Sequence, residues 1–428
     1  MRNRREVYSW CLYDWANSAF VLTVVSGFFP LFFKGYYCGA GTSVVETTAR
    51  LGVGNTAAGI AIALLSLILG AVADAGAGKK RFLIIFAALG AVSAALLFFA
   101  GQGAWMPALL LFIFGNIGFS CSNLFYDSLL LDVADGKNMD FVSGMGFAFG
   151  YIGGVILFAF NVWMMVKPET FGFSGWEGAV KVSFLSVAVW WMVFSIPLLL
   201  FVNEKNRKAP TRKKPLAVAV DAVGAVKKTF LTIIRRKELF LFLAAYWLYY
   251  DGINTFIRMA VDFGLSIGFG PEALMAALVI SQLTAFPASL LFGYLSTKIG
   301  AYRMISAGVL MYLVISIVGS LLMRTETHFI ILAALTGLAQ GGIQALSRSY
   351  FGKLIPPEES TEYFGFYNVV SRFAVAGPAV VGMIAMAARG AGGGETVASR
   401  VGMSSIALFF AAGFILLRLS VKRSPCSN

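Results

Sequence analysis

Long apolar stretches separated by short polar segments dominate the chain. A transmembrane helix needs about 20 consecutive, mostly apolar residues, and twelve stretches of the chain meet that length. The pattern therefore predicts an all-α membrane protein with twelve transmembrane helices. The predicted spans lie near 10–33, 53–75, 82–101, 105–126, 143–166, 180–202, 239–262, 273–296, 302–323, 328–347, 363–388 and 401–421.

The lysines and arginines between these spans predict the orientation of the chain, because cytoplasmic loops of membrane proteins are enriched in them. The side of the membrane that holds the N-terminus collects 25 of the 34 cations and the other side 7, while Arg258 and Arg372 fall within spans. We therefore expect both termini in the cytoplasm. We also expect a multi-pass protein of the plasma membrane, which is the inner membrane in a bacterium.

The longest connection lies between the sixth and seventh predicted spans. Its apolar residues recur at helical spacing, at Leu216, Val220, Val223, Phe230, Leu231 and Ile234, and its cations include Lys227, Lys228, Arg235 and Arg236. This pattern is typical of an amphipathic helix on an anionic inner leaflet; the alternative is a solvated basic linker. The connection divides the chain into an N-terminal six-helix bundle (1–202), a basic cytoplasmic linker (203–238) and a C-terminal six-helix bundle (239–428).

Composition narrows the possible classes of function. Hydrophobic residues make up 58% of the 428 residues and charged residues 13%, whereas a soluble protein is roughly a quarter charged. The net charge of +13 would suggest nucleic acid as the partner of a soluble protein. Here the cations lie mainly between apolar runs, where they set topology. We therefore expect the protein to lie in a lipid bilayer and to bind no nucleic acid.

The sequence offers few residues for catalysis. Its four scattered cysteines and single histidine, His328, argue against a metal site or a His-based catalytic site, and it contains no phosphate-binding loop of the kind that ATP-driven proteins use. We therefore expect no enzyme activity, no metal and no cofactor. Three acids lie around one inner connection: Asp127, Asp132 and Asp135. We interpret them as solvated or cation-paired carboxylates and not as metal ligands.

A polar motif occurs twice inside the apolar runs. Its pattern is Trp-x-x-Tyr-Asp-x-x-Asn-(Ser/Thr), first as Trp10, Tyr13, Asp14, Asn17 and Ser18, and 237 residues later as Trp247, Tyr250, Asp251, Asn254 and Thr255. A carboxylate inside a membrane span is costly and usually functional. The repeat therefore indicates two related halves, each of which contributes to one function.

Two further echoes follow in the same order along the chain. Gly70-x-x-x-Asp74 after the second span corresponds to Gly293-x-x-x-Thr297 after the eighth. Gly146-Phe147 in the fifth span corresponds to Gly365-Phe366 in the eleventh. Three echoes in one order indicate a duplicated six-helix unit.

Four stretches carry a resemblance to a known family: YDWANSAF from Tyr13, GAVADAGAGKKRFL from Gly70, YDGINT from Tyr250, and GGIQALSRSYFGKLIPPEESTEYFGFY from Gly341. The chain resembles the major facilitator superfamily, in the branch related to the fungal vacuolar amino-acid effluxers. The resemblance implies two pseudo-symmetric six-helix bundles, transport by alternating access, and amino acids as the substrate class. Parallel repeats of this kind hold their substrate near the membrane midplane.

The resemblance also implies a gating loop after the second span, with Gly70, Asp74, Lys79, Lys80 and Arg81 as its candidate residues. The chain departs from the superfamily pattern at two positions of this loop and its repeat. Ala75 follows Asp74 where a basic residue is expected, and Thr297 replaces the acid in the second half. The gating contacts are therefore expected to be weaker here or to be made by other residues.

The second copy of the motif offers the strongest candidates for solute binding. On a helix, Asp251, Asn254, Thr255 and Arg258 share one face, and the carboxylate and guanidinium lie about 10 Å apart along the axis. This matches the ammonium and carboxylate of an amino acid, and Asp251 could also carry a proton. The alternative is a helix-to-helix ion pair between Asp251 and Arg372, while Asp262, one turn beyond Arg258, could neutralise that arginine.

The first copy presents Asp14, Asn17 and Ser18 without a following arginine. Either the first helix begins earlier than its apolar run, or Asp14 lies near the inner mouth as a gating residue. We include the tyrosines of both copies, Tyr13 and Tyr250, as candidates. By superfamily analogy, the fourth and tenth spans contribute amides that bind solute or, alternatively, join helices: Asn116, Asn123, Gln340 and Gln344.

The sequence therefore predicts a monomeric secondary transporter that moves a small polar solute, with amino acids as the expected class. Transport would be driven by a proton gradient or, in a uniporter, by the gradient of the solute itself. The alternatives from other classes are a polytopic membrane enzyme, and a sensor or scaffold that has a transporter fold without flux.

Overall fold

The computed structural model describes residues 3–39, 41–206, 215–266, 271–373 and 376–421. Within these ranges it leaves out the side chains of 44–45, 215–220, 258, 260–263, 265–266, 271–275 and 395. The predicted roles of the Arg258 and Asp262 side chains, and of Leu216 and Val220 in the linker, therefore lie outside the described residues.

The first part of the chain forms six long helices. The first continues beyond α1 to Tyr37 through two more widely wound segments, Phe20–Phe28 and Phe33–Tyr37, with Phe29–Phe32 between them. Pro30, which has no N–H to donate, lies between the two wide segments. The helices are α1 (Arg4–Ala19), α2 (Val44–Val72), α3 (Lys79–Leu96), α4 (Trp105–Val133), α5 (Met139–Val166) and α6 (Trp176–Phe201).

The linker and the second part of the chain are also helical. The predicted eleventh span consists of two helices, α12 and α13, on either side of residues 373–375, and the last span is divided at Ser405. The helices are α7 (Pro215–Arg235), α8 (Lys237–Ser266), α9 (Pro271–Ile299), α10 (Ala301–Leu322), α11 (Glu326–Leu354), α12 (Ser360–Arg372), α13 (Ala376–Gly390), α14 (Glu395–Ser404) and α15 (Ile406–Val421).

Within the described part of the chain, eleven helical segments are long and apolar enough to cross a membrane. The all-α membrane class is therefore confirmed. The predicted span that is missing from these eleven is the seventh, which corresponds to α8; this helix is 30 residues long but is made more polar by Asp251, Asn254 and its tyrosines. The count of twelve and the cytoplasmic position of both termini stay predictions.

Local sequence signals explain where several helices begin. Ser43 and Thr325 are N-caps, because their hydroxyls accept hydrogen bonds from the amides of Glu46 (3.1 Å) and His328 (3.2 Å). Two glycines with left-handed backbones, Gly78 (φ 94°) and Gly300 (φ 91°), precede α3 and α10, a conformation that glycine adopts without strain. They occupy corresponding positions of the two halves.

The chain forms two compact units. Unit 1 contains 1–135, 149–226 and 356–368, and unit 2 contains 136–148, 227–355 and 369–428. In each unit, helices approach at glycines. A Cβ at Gly118 would lie 2.6 Å from the Phe86 carbonyl oxygen in unit 1, and one at Gly293 would lie 3.0 Å from the Asp140 carbonyl oxygen in unit 2. Small residues at such crossings are typical of helix packing in membranes.

Candidate functional site

Asp14 lies well inside the first helix, because α1 begins at Arg4, six residues before the predicted apolar run. Its side chain is 9% exposed, and its Oδ2 accepts a hydrogen bond from the Tyr126 hydroxyl of α4 at 3.3 Å. One turn further along α1, the Asn17 amide donates to Asn123 Oδ1 at 2.7 Å. The candidates of the first motif therefore join α1 to α4.

The aromatic residues of the first motif strengthen the same contact. The Trp10 ring stacks on the Tyr126 ring, with centroids 4.4 Å apart, and its Nε1–H donates to the Tyr126 carbonyl oxygen at 3.0 Å. Tyr13 is fully buried, with Ser122 and Trp191 next to its hydroxyl. Sequence reasoning did not select Ser122 or Trp191, since both reach Tyr13 from distant parts of the chain and neither belongs to a motif.

A glycine of α5 faces the Asp14 carboxylate. A Cβ at Gly150 would lie 2.7 Å from Ser18 Oγ and 3.1 Å from Asp14 Oδ1. A side chain at this position would push α5 away from the polar face of α1. Gly150 thus brings the backbone of α5 against Asp14 and Ser18.

Asp251 has a different set of partners. Its side chain is 0% exposed, and Oδ2 accepts hydrogen bonds from the backbone N–H groups of Ala376 and Gly377, both at 3.1 Å. The Thr255 hydroxyl donates to Oδ1 at 3.3 Å. The first N–H groups of a helix have no partner within it and carry partial positive charge, so the Asp251 carboxylate caps the start of α13.

A second residue of the motif contacts the end of α12. Trp247, one turn before Asp251, donates its Nε1–H to the carbonyl oxygen of Phe373 at 3.0 Å. The two side chains thus bind backbone groups on both sides of residues 374–375. Backbone partners leave no signal in the sequence, which indicated only a solute, a proton or Arg372 as the partner of Asp251.

The two copies of the motif use one packing rule. In unit 2, a Cβ at Gly377 would collide with the Thr255 hydroxyl and lie 3.1 Å from Asp251 Oδ1. In unit 1, Gly150 stands in the same relation to Ser18 and Asp14. In both copies of the motif, an Asp-x-x-x-(Ser/Thr) face therefore packs against a glycine of another helix.

The remaining candidates of α8 and its neighbours are more exposed than Asp251. Asn254, Tyr250, Arg372 and Gln344 are half-buried, and the Tyr250 ring packs against Tyr246 with centroids 5.1 Å apart. Gln340 lines a separate cavity of unit 2.

The predicted gating loop binds the start of α12. Asp74 Oδ2 accepts a hydrogen bond from the backbone N–H of Glu362 at 2.8 Å, and a Cβ at Gly70 would lie 2.7 Å from the Thr361 carbonyl oxygen. Lys79 Nζ lies 2.9 Å from Asp132 Oδ2 and 2.9 Å from Ser360 Oγ. The interpretation of Asp132 as a cation-paired carboxylate therefore agrees with the structure.

Glu204, which the sequence analysis did not select, anchors the same loop. Its two carboxylate oxygens accept hydrogen bonds from the backbone N–H groups of Lys79 (2.9 Å) and Lys80 (3.0 Å) at the start of α3. Lys80 Nζ donates to the Val202 carbonyl oxygen at 2.7 Å. Arg81 is exposed. The loop is thus held by an acid from the end of α6, 124 and 125 residues away.

In unit 2 the corresponding contact uses different residues. Thr297 is exposed and donates its hydroxyl to the Tyr294 carbonyl oxygen of its own helix. Instead, Asp140 in the first turn of α5 accepts hydrogen bonds from Lys353 Nζ (2.7 Å) and Ser349 Oγ (2.7 Å) of α11.

Arg348 of α11 adds to this contact. Its Nε donates to Ser143 Oγ and its Nη2 to the Ser143 carbonyl oxygen, both at 3.0 Å, and its guanidinium lies 4.3 Å from the centre of the Phe147 ring. In unit 2 the contact is therefore made by Asp140 and Ser143 of α5 with the basic residues of α11, without Thr297.

In the part of the chain that the structure describes, no group of three or more His, Cys, Asp or Glu side chains could hold a metal ion. The buried carboxylates of the site instead meet backbone amides, hydroxyls and cations.

Comparison with known sequences identifies relatives across nearly the whole chain. A family profile described as "Vacuole effluxer Atg22 like" matches residues 56–425. The MFS-type transporter YxiO of Bacillus subtilis is 36% identical over 97% of this chain and 95% of its own length. Autophagy-related protein 22 of Coccidioides immitis is 23% identical over 89% of this chain and 82% of its own length.

Solved structures show the fold. The human organic anion transporter MFSD10 superimposes with a TM-score of 0.72 at 13% identity, covering 97% of this chain and 100% of that structure. The proton:xylose symporter XylE superimposes with a TM-score of 0.71 at 12% identity, covering 98% and 95%. At such low identity the likeness concerns the fold alone.

Proposed function

The chain belongs to the Atg22-like effluxer family of major facilitator transporters, and we propose that it moves amino acids across the membrane by alternating access, coupled to protons. Membrane transport itself follows from the family, and enzyme activity is not its function. The substrate class, the coupling ion and the residues that serve them are the proposal.

The observation that carries the proposal is the fully buried Asp251 carboxylate at the start of α13. A carboxylate accepts stronger hydrogen bonds than a neutral carboxylic acid does. Protonation of Asp251 would weaken its hold on the Ala376 and Gly377 amides. Binding of a proton would thereby be linked to a change in the position of α13, which is how a proton gradient can drive a conformational cycle.

Asp14 serves as the gating counterpart in this proposal. It meets the Tyr126 hydroxyl rather than the start of a helix, and Asn17 and Asn123 satisfy one another. Arg258 stays the candidate partner for the carboxylate of an amino acid, on the basis of its position in the sequence. We propose amino acids as the substrate class because the four stretches quoted above resemble the vacuolar effluxers.

We place the protein in the plasma membrane, the inner membrane of a bacterium, as a monomer with twelve transmembrane helices and cytoplasmic termini. The ratio of 25 to 7 cations supports this orientation. The exposed Lys227 and Lys228 of α7 support contact with an anionic inner leaflet. Enzyme or fluorescent-protein fusions at both termini, which report the side of the membrane, test the orientation.

Counterflow in proteoliposomes tests the function. Vesicles that contain the purified protein are loaded with one unlabelled solute, and uptake of the same labelled solute is followed for amino acids, sugars and nucleosides. We expect amino acids to give counterflow and a pH gradient to drive net uptake. Binding of a solute without counterflow would favour the sensor or scaffold alternative.

The Asp251→Asn substitution tests the role of the carboxylate, with Asp221→Asn in the exposed part of α7 as the matched control. We expect Asp251→Asn to retain counterflow and to lose pH-driven uptake at least tenfold, because asparagine cannot exchange a proton. Unchanged pH dependence in Asp251→Asn would remove Asp251 from the coupling mechanism.

A further inference from the structure

Unit 2 contains a cavity of about 100 Å³ that the proposed mechanism does not use. Residues of α8, α9, α10, α11 and α14 line it, so it lies between the helices of this unit and is partly open to its surroundings. Its apolar wall includes Phe256, Leu278, Met323, Phe329, Leu332 and Met403. Three polar side chains interrupt this wall: Gln282, Thr336 and Gln340.

Thr336 is the most informative of these side chains. It is 5% exposed, and its hydroxyl has no hydrogen-bond partner among the described residues. A threonine within a helix usually donates to the carbonyl oxygen one turn earlier. Thr284 makes that bond to Ile280 at 2.9 Å and Thr232 to Lys228 at 2.9 Å. A buried hydroxyl without a partner is unfavourable, so Thr336 has capacity for a bound molecule.

The two glutamines add donors and acceptors. Both are half-buried, and no hydrogen bond joins either amide to another described group. The serines of the cavity differ, because Ser281 donates to the Leu278 carbonyl oxygen and Ser320 to that of Ser316. The free hydrogen-bonding capacity of the cavity is therefore concentrated on one hydroxyl and two amides.

The lining also defines the charge of the occupant. None of the described lining residues is charged, so a carboxylate or an ammonium group would lose its hydration without gaining a counter-charge. An amide offers both a donor and an acceptor, which suits a neutral polar group. The phenylalanines, leucines and methionines provide contact area for an apolar body.

We propose that this cavity is a binding site for a small uncharged molecule of about one ring, which carries a single hydrogen-bonding substituent such as a phenol hydroxyl or a carboxamide. A cavity of comparable size, roughly 150 Å³, accommodates benzene when its lining is apolar. The substituent would bond Thr336 Oγ1 and the amides of Gln282 and Gln340. The site goes beyond the proposed function and does not depend on it.

The test uses the full-length protein in nanodiscs and ¹⁹F NMR of three probes: 4-fluorophenol, 4-fluorobenzamide and 4-fluorobenzoate. Empty nanodiscs of the same lipid correct for partitioning into the bilayer. We expect saturable binding of the two neutral probes and at least tenfold weaker binding of the anion. Binding that does not exceed that of empty nanodiscs would overturn the proposal and leave water as the occupant.

Matched substitutions locate the binding. Thr336→Val keeps the shape of the side chain and removes the hydroxyl, and Gln340→Met removes the amide at similar volume. Thr284→Val makes the same change on α9 at a hydroxyl that is bonded within its own helix and does not line the cavity. We expect at least threefold weaker 4-fluorophenol binding in the first two variants and none of this effect in the control.

Equal binding in all three variants would contradict the assignment even if the probes bind. Because the measurement records binding and not flux, it separates this proposal from the proposed function. A protein that shows counterflow but no probe binding would refute the cavity site alone, and the reverse result would refute the transport proposal alone.

Discussion

The aspartates of the repeated motif illustrate what a sequence can predict about single residues. Helical spacing correctly placed Asp251 and Thr255 on one face, since that requires only the 3.6-residue period of the helix. The partners on the opposite side, the Ala376 and Gly377 amides, could not be predicted, because every residue except proline carries the same backbone N–H.

The close packing at Gly377 leads to a prediction about stability. A Cβ at this position would collide with the Thr255 hydroxyl, so Gly377→Ala must displace α13 or the side chain that caps it. We expect a loss of about 1–3 kcal/mol, the usual cost of overpacking a well-packed site. Thermal unfolding of the purified protein in detergent measures it.

Gly382→Ala is the matched control for this prediction, because it lies on the same helix with nothing within 4 Å of its added Cβ. Alanine favours a helix over glycine by about 1 kcal/mol, so the control should be neutral or slightly more stable. Equal destabilisation by both substitutions would show that the contact with Thr255 is not the cause.

At the scale of elements, the apolar runs predicted the helices well but misplaced several ends. The first helix begins at Arg4 because Glu6 is buried, where it accepts hydrogen bonds from Lys205 Nζ (2.6 Å) and Asn203 Nδ2 (2.8 Å). Likewise α2 begins at Val44 in a polar turn where Glu46 pairs with Arg50. Hydrophobicity marks the part of a helix that faces lipid. It therefore does not detect polar extensions of a helix that are stabilised by ion pairs.

The linker helix α7 gives a prediction of its own. In its described part, Ala222, Thr229 and Ile233 are buried, while Phe230 is 50% and Ile234 45% exposed, with Lys227 and Lys228 exposed beside them. Apolar residues flanked by cations suit the surface of an anionic bilayer, where each lysine contributes about 1 kcal/mol. We therefore expect α7 to lie against phosphatidylglycerol-containing membranes.

An environment-sensitive dye on Ile234→Cys of the full-length protein measures this contact, with Cys426 replaced by serine. The emission should shift to the blue in nanodiscs with anionic lipid, and less so in neutral nanodiscs or after Lys227→Glu and Lys228→Glu together. A dye on Asp221→Cys, on another face of α7, should not respond. The same emission in neutral and anionic lipid would favour the solvated linker.

At the scale of the whole molecule, each compact unit includes a short segment that lies far along the chain from most of its other residues. Unit 1 includes 356–368 and unit 2 includes 136–148. In unit 1, Asp74 and Lys79 bind this segment at the start of α12. In unit 2, Asp140 of the segment binds the end of α11. The family that the resemblance indicates and its all-α membrane fold are confirmed, whereas the duplication into two six-helix bundles stays a prediction. The contacts of these segments could not be predicted, because they join residues more than 200 positions apart.

The contact between Asp140 and Lys353 provides a test of the proposed cycle. Asp140 is 3% exposed and meets Lys353 and Ser349 at 2.7 Å each. Asp140 belongs to the predicted N-terminal bundle and Lys353 to the predicted C-terminal bundle, so under the proposed alternating access their contact would break and form again in every cycle. Asp140 is the buried partner and Lys353 the exposed one, so Asp140→Asn removes the charge that holds Lys353 and should favour the state in which this contact is open.

A buried thiol reports that state. We expect a cysteine in place of Met145, which is 6% exposed in the first half of α5, to react with a maleimide at least tenfold faster in Asp140→Asn than in the parent. Lys353→Met should have a similar effect, and the double variant should fall short of the sum of the two, since both remove one interaction. Glu46→Gln, in the exposed pair with Arg50, should leave the rate unchanged because such pairs contribute only about 0–1 kcal/mol. Additive effects of Asp140→Asn and Lys353→Met, or an equal effect of Glu46→Gln, would mean that this ion pair does not hold the contact closed.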